Sequence, residues 1–300
     1  MRRVSLYLLP FLLLFAACTD AVRIDAGRLP VSLLAVDGMI TDEECRQVVR
    51  LSLTSDFFAA PEEISWVSGA RVSVSCGDAT YDFAEDPESP GTYRSVAAFK
   101  GEAGRRYRLD IDATVGGVAA HYSAQDVVPE LGVRLDALDY LYSTHLKNMW
   151  TLAVWGQDFP GQRTRYLFQV GINGHFKSLD KCFELPDDHF DGMAFTGFTI
   201  SALNHTEETR KLYGDCAKPL EEGDVITLRI YTSSDEYGEF LMQYSHLLVG
   251  TIPILTEQPS NLLTNITGTA PAVGYFGACA VCEVSCVVYD PYRTEYRLQP

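Results

Sequence analysis

Short runs in which every second side chain is apolar recur along this chain, and a period of two is what a half-buried strand requires. Val49, Leu51 and Leu53 share one face, as do Val72, Val74 and Cys76, and then Tyr107, Leu109 and Ile111. Turn residues follow the runs at Gly77-Asp78, Pro90-Gly91 and Gly116-Gly117, where glycine supplies the backbone freedom of a tight reversal. Short strands at this spacing with no helical segment between them predict an immunoglobulin-like β-sandwich over residues 31–125. Tyr122-Ser123-Ala124 closes its last strand. Val127-Val128-Pro129 then reads as a linker, because proline cannot donate to a ladder.

Residues 126–300 read as a second β-rich domain. Thr151–Trp155, Tyr166–Ile172, Phe195–Ala202 and Asp224–Tyr231 alternate, with Tyr166, Phe168, Val170 and Ile172 facing one way. One amphipathic helix is expected near residues 233–248. Ser233 and Glu236 have the spacing of a capping box, and Tyr237, Phe240, Leu241, Tyr244, Leu247 and Leu248 recur at helical spacing. Pro253, Pro259 and the small residues 268–274 read as an irregular return to a final strand from Ala278 to Tyr289. The fold class is therefore mainly β, a sandwich followed by a β-rich domain with one helix.

The N-terminus has a different character. Arg2 and Arg3 precede an apolar run from Val4 to Phe15, and Ala16-Ala17 stand directly before Cys18. A basic start, a short apolar core and small residues at the junction make a secretion signal over residues 1–17. Cys18 is placed as the lipid acceptor of a lipoprotein, with residues 18–30 as the anchored linker. The apolar run is too short to cross about 30 Å of hydrocarbon. Lysine and arginine number 24 against 40 acidic residues, a formal charge of −16, and removal of Arg2 and Arg3 with the signal leaves −18. Such a surface repels nucleic acid and anionic headgroups, so attachment to a membrane has to come from lipid.

Seven cysteines remain after Cys18, so at least one has no partner within the chain. Cys182 and Cys216, both in polar loop-like surroundings, form the favoured disulfide. Cys279, Cys282 and Cys286 have spacings that suit zinc or iron–sulfur ligation. They fall in a Val-rich strand, however, where residues three apart point to opposite faces. Buried thiols or disulfides are expected there and a metal is not.

Chemical motifs are absent from the sequence. It has no His-Glu-x-x-His helix, no Gly-x-Ser-x-Gly elbow and no phosphate-binding glycine loop with a lysine. The six histidines lack ligand spacing, so neither a catalytic residue nor a cofactor is expected. The long loops 174–193 and 204–223 are candidates for function. In the first, His175, Phe176, Phe183 and Phe190 lie among Asp180, Asp187 and Asp188, a mixture of aromatic and polar groups common at recognition surfaces. His175, Phe176, Phe183, Asp187, Asp188 and Phe190 are the candidate binding residues. Trp66, Trp150 and Trp155 could stack on sugar or protein, although two of the three are expected in the core.

The order of several short motifs resembles a known family. Val36-Asp37-Gly38-Met39-Ile40-Thr41 is followed by Gly69-Ala70-Arg71-Val72-Ser73-Val74, Tyr81-Asp82-Phe83, Gly91-Thr92-Tyr93-Arg94-Ser95 and the stretch Gly101 to Ile111. Residues 261–277 follow later, with Asn265-Ile266 and Gly274-Tyr275-Phe276. This pattern is similar to the Bacteroidetes lipoproteins described as domain of unknown function 4249. The resemblance implies an outer-membrane lipoprotein, on the cell surface or the periplasmic face, that accompanies TonB-dependent transporters. It brings no catalytic motif. The expectation is a non-enzymatic accessory binding protein beside a β-barrel receptor; the alternative is a structural component that assembles with other envelope lipoproteins. The motif residues also have folding roles: Gly69 and Gly101 are expected at positive φ, and Tyr93 and Tyr107 to bury their rings with the hydroxyl on a backbone partner.

Overall fold

The three N-terminal alternating runs are strands in the computed structural model, which describes residues 32–54, 64–145, 148–161, 164–176, 183–186, 191–204, 219–249 and 262–297. Seven strands come first: β1 (Leu34–Thr41), β2 (Val48–Leu53), β3 (Arg71–Cys76), β4 (Ala79–Glu85), β5 (Thr92–Ser95), β6 (Arg106–Val115) and β7 (Val118–Val127). They lie in the order β1-β2-β5-β4-β3-β6-β7, and every neighbouring pair is antiparallel. The two-residue strand β15 (Thr267–Gly268) pairs with the far side of β7, and β16 (Ala272–Val287) runs parallel to β1 on the other flank. Val36, Val49, Leu51, Val72, Val74, Leu109, Ile111, Tyr122 and Phe276 fill one core between them.

This sheet curls until its ends meet. Asn265 stands between β7 and β16 and does the work of a missing ladder rung. Its Nδ2 donates to the carbonyls of Phe276 (2.8 Å) and Gln125 (3.2 Å), and its Oδ1 accepts the Phe276 N–H at 3.0 Å. Asp126 of β7 adds a second rung, accepting the Ala278 N–H at 2.9 Å. The expected end at Ala124 falls short, because β7 runs on to Val127. Val128, read as linker, is fully buried in this core, and its N–H and carbonyl bond to Arg105 and Gly104. Gly69 does adopt positive φ, at 72°. Gly101 does not; there a Cβ would press within 2.8 Å of Val128, so close packing is what excludes a side chain. Tyr93 donates its hydroxyl to the Val67 carbonyl and accepts from Ala70, and Tyr107 accepts from the Glu102 N–H.

Further along lie β8 (Val133–Tyr142), β9 (Met149–Asp158), β10 (Thr164–Ile172), β11 (His175–Phe176), β12 (Phe183–Pro186), β13 (Ala194–Asn204) and β14 (Val225–Ser234). The large sheet continues from β16 through β14 and β10 to β11, with β12 also on β10, while β13-β9-β8 form a separate three-stranded sheet. The inner faces of the two sheets enclose a second core of Leu138, Tyr140, Trp150, Leu152, Tyr166, Phe168, Val170, Ile172, Leu228 and Ile230. Helix α1 (Asp235–Val249) covers the opposite face of the large sheet. There Tyr237 and Phe240 meet Leu167, Tyr231, Tyr275 and Cys279.

Three details depart from the sequence reading. The helix is capped by Ser234, the last residue of β14, whose Oγ accepts the Tyr237 N–H at 3.2 Å; Ser233 lies within β14, with its hydroxyl donating to the Arg165 carbonyl. The last strand begins at Ala272, six residues before Ala278, and part of the supposedly irregular stretch is β15. Loop 174–193 carries β11 and β12, which extend the edge of β10. The described chain is mainly β. Strand β16 belongs to both cores, giving Phe276 and Ala278 to the first and Cys282, Val284 and Cys286 to the second.

Candidate functional site

The expected recognition loop starts at the outer edge of the large sheet. His175 and Phe176 sit on β11, held there by pairing of Ile172 with His175 and of Gly171 with Phe176. Glycine at 171 lets the Phe176 ring lie against the backbone, since a Cβ would come within 2.7 Å of it. His175 is exposed and Phe176 half-buried. Phe183 begins β12 opposite Phe168. Asp187, Asp188 and Phe190 lie outside the described residues, as do Cys18 and both members of the expected disulfide, Cys182 and Cys216.

Beside Phe176 the structure gathers charged groups that the sequence reading missed. The Arg229 guanidinium of β14 lies 4.5 Å from the centre of the Phe176 ring, a cation–π arrangement. It also pairs with Glu43 at 3.2 Å and Glu283 at 2.9 Å. Burial pushes the Glu43 carboxyl up, with Glu283 and Asp42 adding to the shift while Arg229 opposes it. Arg229 and Glu283 could have been paired from strand alternation, as they are direct neighbours across β14 and β16. Glu43 is 240 residues from Glu283 in sequence, and no local signal connects them. A half-buried guanidinium between an aromatic ring and two carboxylates offers polar groups that can hydrogen-bond a partner. Among the described residues it presents no nucleophile paired with a base.

A second polar group lies on β6 and β7. His121 Nδ1 is 2.9 Å from Asp112 Oδ1, and its Nε2 is 3.6 Å from Asp110 Oδ1. His121 and Asp112 border a shallow open depression of about 420 Å³ with Gly69, Thr114 and Thr269. The two ring nitrogens face different carboxylates, so the three groups do not converge on one point. Among the described residues no set of three potential ligands is placed to hold a metal ion.

The clustered cysteines separate as strand geometry requires. Cys279 faces the helix, whereas Cys282 and Cys286 face the second core. Burial pushes the Cys282 and Cys286 thiols up to about 12, and that of Cys279 well above its ordinary value. Thiols so displaced are poor nucleophiles. Cys45 and Cys76 are free as well. Of the tryptophans, Trp150 is fully buried, Trp155 half-buried and Trp66 exposed.

No curated protein matches the chain. A family model does match it, over residues 19–284. The chain belongs to the family described as Domain of unknown function (DUF4249).

Proposed function

We propose that this protein is a lipid-anchored, non-enzymatic accessory protein of the bacterial outer membrane, working beside a TonB-dependent transporter in nutrient capture. The observation that carries the reading is the junction Ala16-Ala17-Cys18 after a basic start and a short apolar run. Several acyl chains on Cys18 would tether the body durably, where one alone binds marginally. In this reading the immunoglobulin-like sandwich, residues 31–125, and the β-rich domain, residues 126–300, form a body held at the membrane. The group of Phe176, Arg229, Glu43 and Glu283 supports a recognition role, because it gathers an aromatic ring and charged groups of both signs in one place.

Affinity capture of the full-length chain from detergent-solubilised membranes tests this assignment. Recovery of a β-barrel receptor is the expected result. Recovery of a set of other envelope lipoproteins without a barrel would contradict it and point to a scaffold.

A further inference from the structure

Where the chain enters the body, two apolar side chains stand exposed. Leu33 and Thr54 are tied by two bonds, the Thr54 N–H donating to the Leu33 carbonyl at 2.9 Å and the Leu33 N–H to Thr54 Oγ1 at 2.9 Å. One residue back along β2, the Leu53 N–H donates to the Ser65 carbonyl at 2.8 Å, and Ser52 forms a bridge with Trp66. Residues 65–67 therefore run along the end of β2 that lies beside the start of β1, roughly two strand spacings of about 5 Å from the entering chain. At that end Ile64 is 61% exposed and Trp66 40% exposed.

One side of the Trp66 ring is packed. It lies on the backbone of Gly91, where a Cβ would come within 2.9 Å of a ring carbon, and Gly91 itself has φ of 71°. The indole thus rests on Gly91 with part of its surface uncovered.

The geometry points to a second membrane contact: Ile64 and Trp66 seat this end of the body in the headgroup region of the phospholipid leaflet that receives the Cys18 lipid. The inference rests on the lipoprotein reading above and adds the orientation of the body. Residues 18–31 could reach no more than about 50 Å when fully extended, and they join the body at the end that carries Ile64 and Trp66. A tether of this length gives an effective concentration on the order of millimolar, and a contact of two side chains can then be populated. Tryptophan suits the position because its ring is apolar while its N–H can remain wet at the interface. The strongly negative body is repelled by anionic headgroups, so an uncharged contact is the kind available to it.

The test uses the full-length acylated chain in phosphatidylcholine vesicles, with and without bromine atoms near the top of the acyl chains. Flotation reports anchoring and tryptophan emission reports depth. The wild-type protein is expected to float and to lose emission on brominated vesicles. Trp66→Phe should float equally, keep the same far-ultraviolet circular dichroism, and lose that quenching; Ile64→Ser should float and show weaker quenching. Floating protein with identical emission on the two vesicle types would overturn the contact and leave the anchor standing. Protein that does not float would overturn the anchor, and the contact with it.

Discussion

Asp126 joins the two ends of the curled sheet with a carboxylate whose ionisation its own burial opposes. Burial pushes its carboxyl up to about 6, aided by the neighbouring Glu236, while the N–H groups of Val127 and Ala278 and the Ser234 hydroxyl pull the other way. Because the folded value lies above the ordinary one near 3.9, the protonated form is the one folding favours. The contribution is complete below about pH 4 and is lost as pH rises through about 6. Asp126 should therefore take on the order of 1–2 kcal/mol from stability between pH 5 and 7, allowing for its partial access to water. Denaturation of wild type and Asp126→Asn at several pH values checks this: the variant's profile should be flatter across that window, and parallel profiles would contradict the role. The sequence gives Asp126 the look of one more acidic residue before a linker. Its importance comes from Ala278 and Ser234, more than 100 positions away.

At the scale of elements, the closure of β7 onto β16 depends on a side chain and a glycine. Asn265→Ala would leave the Phe276 N–H and carbonyl without their partner, a loss of about 2 kcal/mol. Hydrogen exchange should then quicken at Phe276 before it does at the middle of β3, and unchanged protection would contradict the rung. Gly274, at φ of 93°, lies where a Cβ would collide with the Val36 carbonyl in the parallel β1–β16 pair. Gly274→Ala should cost roughly 2–4 kcal/mol, read by urea denaturation; a loss below experimental error would contradict this pairing.

The same two residues mark where the sequence stopped being legible. Alternation in Val72, Val74 and Cys76 or in Tyr166 to Ile172 reports a strand and its buried face, since both follow from a period of two. It does not report the partner. The start of β16 was hidden because Gly274, Gly277 and small alanines break the apolar pattern where β1 and the helix approach closely. The helix cap moved by one residue because Ser233 and Ser234 are both competent caps, and the choice was made by the Arg165 carbonyl from β10.

For the whole molecule, architecture is shared by two cores through β16, and the proposed role comes from the N-terminal junction. The group at Phe176 was half legible: the aromatic-rich loop drew attention to it, but Arg229 and Glu43 arrive from distant strands. If the body is held by lipid, Cys18→Ala should move the protein from the membrane pellet to the soluble fraction while its circular dichroism stays the same.

Mass spectrometry of the N-terminal peptide of the protein purified from its native membrane is the most direct test. The account predicts that the mature chain begins at Cys18 and carries a diacylglyceryl thioether; an N-terminus at any other residue, or Cys18 without acyl groups, would contradict it.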